Sequence, residues 1–193
     1  MDLLDLINPV VSLLTVLTII GQIIALLLAG LLLKELLKIG APSRMTAFIA
    51  KHGLLLMFIV ALTATAGSLF FSEIALWTPC KDCWLQRIFM YPQVILLGIA
   101  LRKRDRGIAL YILTLSIIGS LISIDHYIDQ IQAIINPIEH DPLAPCDATG
   151  ISCSATEIYE YGYITIPLMA LTAFVLNALA VVFMLRNSKH RLS

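Results

Sequence analysis

Charge is scarce in this chain. Only 13% of its 193 residues are Asp, Glu, Lys or Arg, against 59% that are hydrophobic, and the mean hydropathy is +0.91. An ordinary soluble domain is excluded by those figures, and a bilayer is the fitting solvent. No basic tract with interleaved aromatics is present, so nucleic acid is not an expected partner. Nor is there a glycine-rich phosphate loop, an internal repeat or a low-complexity linker. The chain begins Met1-Asp2-Leu3-Leu4-Asp5, acidic where a secretory signal is basic, and the apolar run that follows is too long for a signal core. That run is read as a membrane span. Cysteine is sparse as well, but its four copies form two pairs, Cys80/Cys83 and Cys146/Cys153. An even count at close spacing fits disulfides in an oxidising compartment, or a metal site.

Five runs are long enough to cross about 30 Å of hydrocarbon as helices: Val10–Leu33, Gly53–Phe71, Trp84–Leu101, Gly107–Ile124 and Tyr163–Leu185. The third and fourth are at the short end and predict helices that stand nearly upright or sit in locally thinned lipid. The fold expected is an all-α integral membrane protein. Residues 1–52 form an additional N-terminal helix and its connection; residues 53–193 form a four-helix bundle with loops 72–83 and 125–162. Eleven of the thirteen basic residues fall in three alternate segments: Lys34, Lys38, Arg44 and Lys51; Arg102, Lys103, Arg104 and Arg106; Arg186, Lys189 and Arg191. Eleven of the thirteen acids lie in the other segments: Asp2, Asp5, Glu73, Asp82, Asp125, Asp129, Glu139, Asp141, Asp147, Glu157 and Glu160. Basic loops stay in the cytoplasm, which predicts the N-terminus outside and the C-terminus inside. Both cysteine pairs then fall on the outer face, where disulfides persist. Trp77, Trp84, Tyr127, Tyr159, Tyr161 and Tyr163 mark the same side as an interfacial belt.

Small residues suggest how the spans pack. Gly21, Ala25 and Ala29 recur every four residues in the first, and Ser116, Gly119, Ser120 and Ser123 share a face of the fourth. Gln22 and Asn177 are polar at membrane depth and are read as interhelical hydrogen-bonding groups rather than a transport path. Pro167 falls in the first turns of the last span, where a missing amide costs least. Ile128, Ile131, Ile135 and Ile138 have helical spacing and predict a short helix lying on the membrane, ended by Pro137. The stretch Pro142 to Gly150 is rich in turn formers.

The chemistry is expected around Pro79-Cys80-Lys81-Asp82-Cys83-Trp84-Leu85-Gln86-Arg87. A Cys-x-x-Cys opening a helix makes an exchangeable disulfide, because the helix N-terminus favours thiolate. Cys83 is the expected thiolate, with the helix dipole and Arg87 one turn on favouring its anion. A disulfide that only staples the loop is the plainer reading of this pair, and also of Cys146/Cys153, which has six residues between its members. Arg87 either snorkels to the interface or holds a polar ligand such as a quinone oxygen. His126, beside Asp125, is a ligand, a proton carrier or an interfacial polar residue. A four-cysteine zinc site is the rival in kind, although the wide second pair and the oxidising side both count against it.

Cys-x-x-Cys-Trp-x-Gln-Arg (Cys80 to Arg87) followed by Met90-Tyr91-Pro92 resembles the DsbB/BdbC family of quinone-dependent thiol oxidases. So do Asp125-His126-Tyr127, Pro145-Cys146, Ser152-Cys153-Ser154 and Gly162-Tyr163-Ile164-Thr165-Ile166-Pro167. The resemblance runs from about Gly53 to Arg186, and the close second pair is similar to the short-loop BdbC branch. It implies a bacterial cell-membrane protein that reoxidises a DsbA/BdbD-like thioredoxin-fold thiol oxidase. In that relay the partner attacks the Cys146–Cys153 disulfide at Cys146, and Cys153 reduces Cys80–Cys83 through Cys80. Cys83 then passes the electron pair to ubiquinone or menaquinone near Arg87, with His126 a neighbour. No metal is implied. An outward electron conduit is the alternative within redox chemistry. The family pattern has four helices, so Val10–Leu33 is a departure from it. The vitamin K epoxide reductase fold has its loop pair before the Cys-x-x-Cys, the reverse of the order here.

Overall fold

The computed structural model describes residues 3–37, 44–138, 143, 145–146 and 150–190, without the side chains at 3, 4, 44 and 187–190. Asp2, Lys38, Glu139, Asp141, Asp147 and Arg191 lie outside it, as do most of the Pro142–Gly150 stretch and the side chains of Arg44 and Lys189. Five long helices carry the chain: α1 (Leu3–Leu36), α2 (Arg44–Leu69), α3 (Lys81–Lys103), α4 (Ala109–Ile135) and α5 (Ile166–His190). Each is long and apolar enough to cross a membrane. Helices are what such a sequence must form in lipid, where no water can satisfy a free amide or carbonyl. Their outward faces carry the large exposed side chains, among them Leu26, Ile95 and Leu121.

Helices α2, α3, α4 and α5 close a ring in which each packs on the next and α5 returns to α2. Helix α1 stands outside that ring, lies along α5 and barely touches α2. The expected bundle with one added N-terminal helix is therefore the fold. Helices α1 and α5 run parallel: Gly21 abuts Thr172 and Leu176, and about four turns beyond, Arg186 Nε lies 3.8 Å from a Glu35 carboxylate oxygen. The small-residue stripe of α1 is used only in part. Gly21 is buried, but Ala25 is half-buried and Ala29 exposed, because a four-residue repeat drifts off the contact face of a 3.6-residue helix. The buried face instead carries Ile7, Val11, Thr15, Thr18, Gly21 and Leu28.

On α4 the stripe holds: Ser116, Gly119 and Ser123 are buried and Ser120 half-buried. A methyl group at Gly119 would run into the Phe174 ring of α5, so only glycine permits this approach. Asn177 Nδ2 donates to Gln93 Oε1 at 2.9 Å, the interhelical bond expected of it. Gln22 Oε1 accepts from the Tyr163 hydroxyl at 3.0 Å. Pro167 is the second residue of α5.

Two expectations are corrected. The third and fourth helices are not short, with 23 and 27 residues. Nor is there a separate surface helix at the isoleucines, since α4 runs unbroken through Ile128 and Ile131 to Ile135 and is capped at Asn136, just before Pro137. Their helical spacing was real, but nothing between Ile124 and Ile128 breaks the helix.

Candidate functional site

Both cysteine pairs lie at one end of the bundle, opposite Arg186 and the basic turn after α3. The chain reaches the first pair through a π-turn, Phe70–Ile74, that ends α2. Leu76 then takes a left-handed conformation (φ 58°), and Trp77 stacks on Phe71 with ring centroids 5.1 Å apart. Cys80 is the N-cap of α3, its backbone extended (φ −72°, ψ 174°) and its sulfur accepting from the Cys83 amide at 3.3 Å. A sulfur in that position faces the positive end of a 23-residue helix.

The Cys80 and Cys83 sulfurs are unbonded and 2.8 Å apart. Cys80 is buried, and its Sγ is 3.7 Å from Nε2 of His126, on α4. The Cys80 thiol is accordingly drawn down to about 4. Hydrogen bonding by the Cys83 thiol is the largest cause, His126 and the Cys83 amide add to it, and burial opposes. This corrects the expectation that Cys83 carries the thiolate. The capping sulfur collects the donors, while Arg87 points elsewhere.

His126 joins the two pairs. It is 1% exposed, and besides Cys80 its Nε2 is 3.0 Å from the Cys153 carbonyl, while Nδ1 is 3.1 Å from Gln86 Nε2. With Gln86 donating to Nδ1, the ring carries a proton on Nε2 that is shared between the Cys153 carbonyl and the Cys80 sulfur. Cys146 and Cys153 form a disulfide. Cys153 is buried against this site and Cys146 is exposed, its amide donating to the Ile151 carbonyl at 3.2 Å. The loop is held over α4 by Gln130 Nε2, which donates to the Ala155 carbonyl at 2.9 Å.

Arg87 is buried rather than snorkelling. Its Nε and Nη2 donate to the hydroxyl and the carbonyl of Ser68, both at 3.0 Å, and its guanidinium lies 5.1 Å from the Trp84 ring centroid. Tyr91 also donates to the Ser68 hydroxyl, at 3.1 Å. Those bonds use two of the five N–H groups of arginine. Sequence reasoning gave no role to Gln86, Ser68 or Tyr91. Gln86 lies one turn beyond Cys83 and Tyr91 one turn beyond Arg87, a spacing that places each near a residue already singled out.

Behind the thiols is a cavity of about 410 Å³. Cys80, Cys83, Gln86, Arg87, Tyr91, His126 and loop residues that include Glu157 give its outer end polar groups. The rest is walled mainly by apolar side chains of α1, α2, α3 and α5, with Thr18, Thr63 and Thr172 among them. A flat ring with two carbonyl oxygens and an apolar tail fits such a space, with donors at one end and hydrocarbon at the other. For a metal, the Cys80, Cys83 and His126 ligand atoms lie within 4.8 Å of one another. That is one ligand short of a closed tetrahedral site, and the other two cysteines are bonded to each other rather than available as thiolates.

The fold and the site define a multi-pass membrane protein built for thiol–disulfide exchange. Comparison with known proteins gives the family. Residues 50–185 match the model of the disulfide bond formation protein DsbB. Disulfide bond formation protein C of Bacillus subtilis is 46% identical over 119 residues, covering 62% of this chain and 82% of that one. A probable disulfide formation protein C of Bacillus cereus is 39% identical over 137 residues, 71% of this chain and 94% of its own. The chain belongs to the DsbB family. Helix α1 lies before the matched residues. No solved structure matches the chain.

Proposed function

We propose that the chain is a membrane thiol:quinone oxidoreductase of the bacterial cell membrane. It reoxidises a DsbA/BdbD-like thioredoxin-fold dithiol oxidase outside the cytoplasm and so supports disulfide formation in exported proteins. Membership of the DsbB family supports disulfide oxidoreductase chemistry. The observation that carries the finer reading is the position of His126, between Cys80 sulfur and the Cys153 backbone, with Cys146 on the surface and the cavity behind Cys83.

A partner thiolate attacks the exposed Cys146, breaking the Cys146–Cys153 bond and forming a mixed disulfide. The partner's second thiol resolves it, leaving the partner oxidised and the loop pair as two thiols. Cys153, deprotonated, then attacks Cys80 of an oxidised Cys80–Cys83 pair. The Cys80–Cys83 bond breaks, and Cys146 closes the loop disulfide again. The net change moves two electrons and two protons from partner to Cys-x-x-Cys. The lowered Cys80 thiol stabilises the dithiol and makes its disulfide the stronger oxidant, which favours the oxidase direction over an outward reductant conduit. A quinone (ubiquinone or menaquinone) in the cavity supplies the two-electron acceptor. Arg87, with N–H groups beyond the two bonded to Ser68, is the proposed donor to its oxygens, His126 is a neighbour, and the Cys80 and Cys83 sulfurs both line the same space.

The orientation proposed is N-terminus out, C-terminus in. Arg102, Lys103, Arg104, Arg106 and Arg186 at the end away from the cysteines support it. Quinone reduction by a purified, reduced thioredoxin-fold partner tests the whole. The rate is lost in Cys83→Ser, and an unchanged rate overturns the relay. Impermeant alkylation of intact cells after mild reduction labels both pairs if the orientation is right.

A further inference from the structure

The cavity behind the thiols is not enclosed by the family's four helices alone. One wall is α1, through Leu14, Leu17, Thr18, Ile20, Gly21 and Ile24. An open groove lies in the same seam between α1 and α2 and shares Leu14, Leu17, Thr63 and Gly67 with the cavity. The seam exists because α1 rests on α5 and hardly meets α2. They come together at Gly67, whose missing side chain leaves room for the Leu14 methyls. From Leu14 to Ile24 the wall runs about 15 Å along the helix axis, from the level of Arg87 and Ser68 toward mid-membrane. Leu17, Ile20 and Ile24 on one side and Ile59 and Leu62 on the other are exposed, so the seam opens sideways where lipid would be.

We propose that α1 is the retaining wall of a tail channel. It holds the isoprenoid chain of a long-tailed quinone whose head lies at the Cys83–Arg87 end. This inference rests on the quinone reading above. The occupant follows from continuity: one cavity carries hydrogen-bond donors and both Cys-x-x-Cys sulfurs at one end and a mainly apolar lining, interrupted by Thr18, Thr63 and Thr172, along the seam. A phospholipid acyl chain would enter the same mouth, but its charged headgroup has no counterpart at the membrane depth of the seam.

The full chain, purified in detergent, tests this by equilibrium binding. The probes are a tail-free dimethoxy-methyl-benzoquinone and its counterpart with a ten-carbon tail. The tailed probe should bind at least about tenfold tighter, since each buried methylene adds affinity. Thr18→Phe, which fills the channel, and Ile20→Trp, at its mouth, should reduce that preference to below about threefold. Affinity for the tail-free probe should stay within about twofold. Leu26→Trp, on the lipid face outside the cavity and the groove, should leave the preference intact and reports on the fold. A preference that survives both α1 substitutions overturns the proposal, as does a phospholipid chain recovered from the seam by photocrosslinking at Leu17. If the unaltered protein binds neither probe, the quinone reading itself fails and takes this inference with it.

Discussion

His126→Ala offers the sharpest quantitative test, because one ring nitrogen serves both cysteine pairs. The Cys80 thiol is drawn well below the ordinary cysteine value, which stabilises the dithiol at pH 7 and makes the Cys80–Cys83 disulfide the more oxidising. A hydrogen bond to a charged group contributes about 1.5–3 kcal/mol. Losing the imidazole should therefore raise the Cys80 thiol by about one to two units and lower the potential by about 30–60 mV. The sign in pH is definite: the thiolate is present above its titration point and disappears as pH falls through about 4 in the unaltered protein. In the variant it disappears at a higher pH. The assay is the rate of Cys80 alkylation by iodoacetamide across about pH 3 to pH 8. It is followed by mass mapping in a background with Cys146 and Cys153 replaced by Ala, and paired with titration against dithiol redox buffers. An alkylation midpoint and a potential that both stay put in His126→Ala would refute the bridging role.

Three further outcomes follow from the packing and the site. Arg87→Ala should raise the KM for quinone far more than the KM for the thiol partner, and equal effects would remove Arg87 from the cavity's function. A reduced partner whose second cysteine is replaced by Ser should accumulate a mixed disulfide with Cys146 of the unaltered chain, seen on non-reducing gels, whereas Cys146→Ser should trap none. Attack on the Cys146–Cys153 bond releases the Cys153 thiolate, and nothing resolves the product. Gly119→Leu should destabilise the α4–α5 interface by about 1–3 kcal/mol through overpacking against Phe174, read as a lower thermal midpoint in detergent.

The spans and the two pairs were legible because lipid imposes long apolar runs, and because thiol pairs must be close to exchange. Asn177 could be read as an interhelical donor since a lone amide in hydrocarbon must find a partner. Its particular partner, Gln93 on α3, was not legible, because local spacing says nothing about which helices adjoin. The same blindness hid the link from Gln86 to His126 and the tie from Arg87 to Ser68. The thiolate was assigned to Cys83 from distance to Arg87 along one helix. Across the bundle, Arg87 turns toward α2 while the imidazole of α4 arrives beside Cys80. The continuous α4 was missed for a different reason: polar Asp125 and His126 look like the end of a span, yet they sit on a helix that continues past them.

Gln93 is fully buried on α3. Its amide nitrogen donates to the Phe89 carbonyl at 3.0 Å, and its oxygen accepts from both Ser116 and Asn177. One side chain thus pins three helices at a common height, and the pin sits far below the sulfurs. Cys80 is thirteen residues up α3 from it, about 20 Å, and His126 is ten residues up α4 from Ser116, about 15 Å. A slip of α4 by a single residue, about 1.5 Å, would break the pin and lift the imidazole off the sulfur together. The vertical alignment of the reacting atoms is thereby set in the dry middle of the bilayer, out of reach of whatever the mobile partners do at the surface.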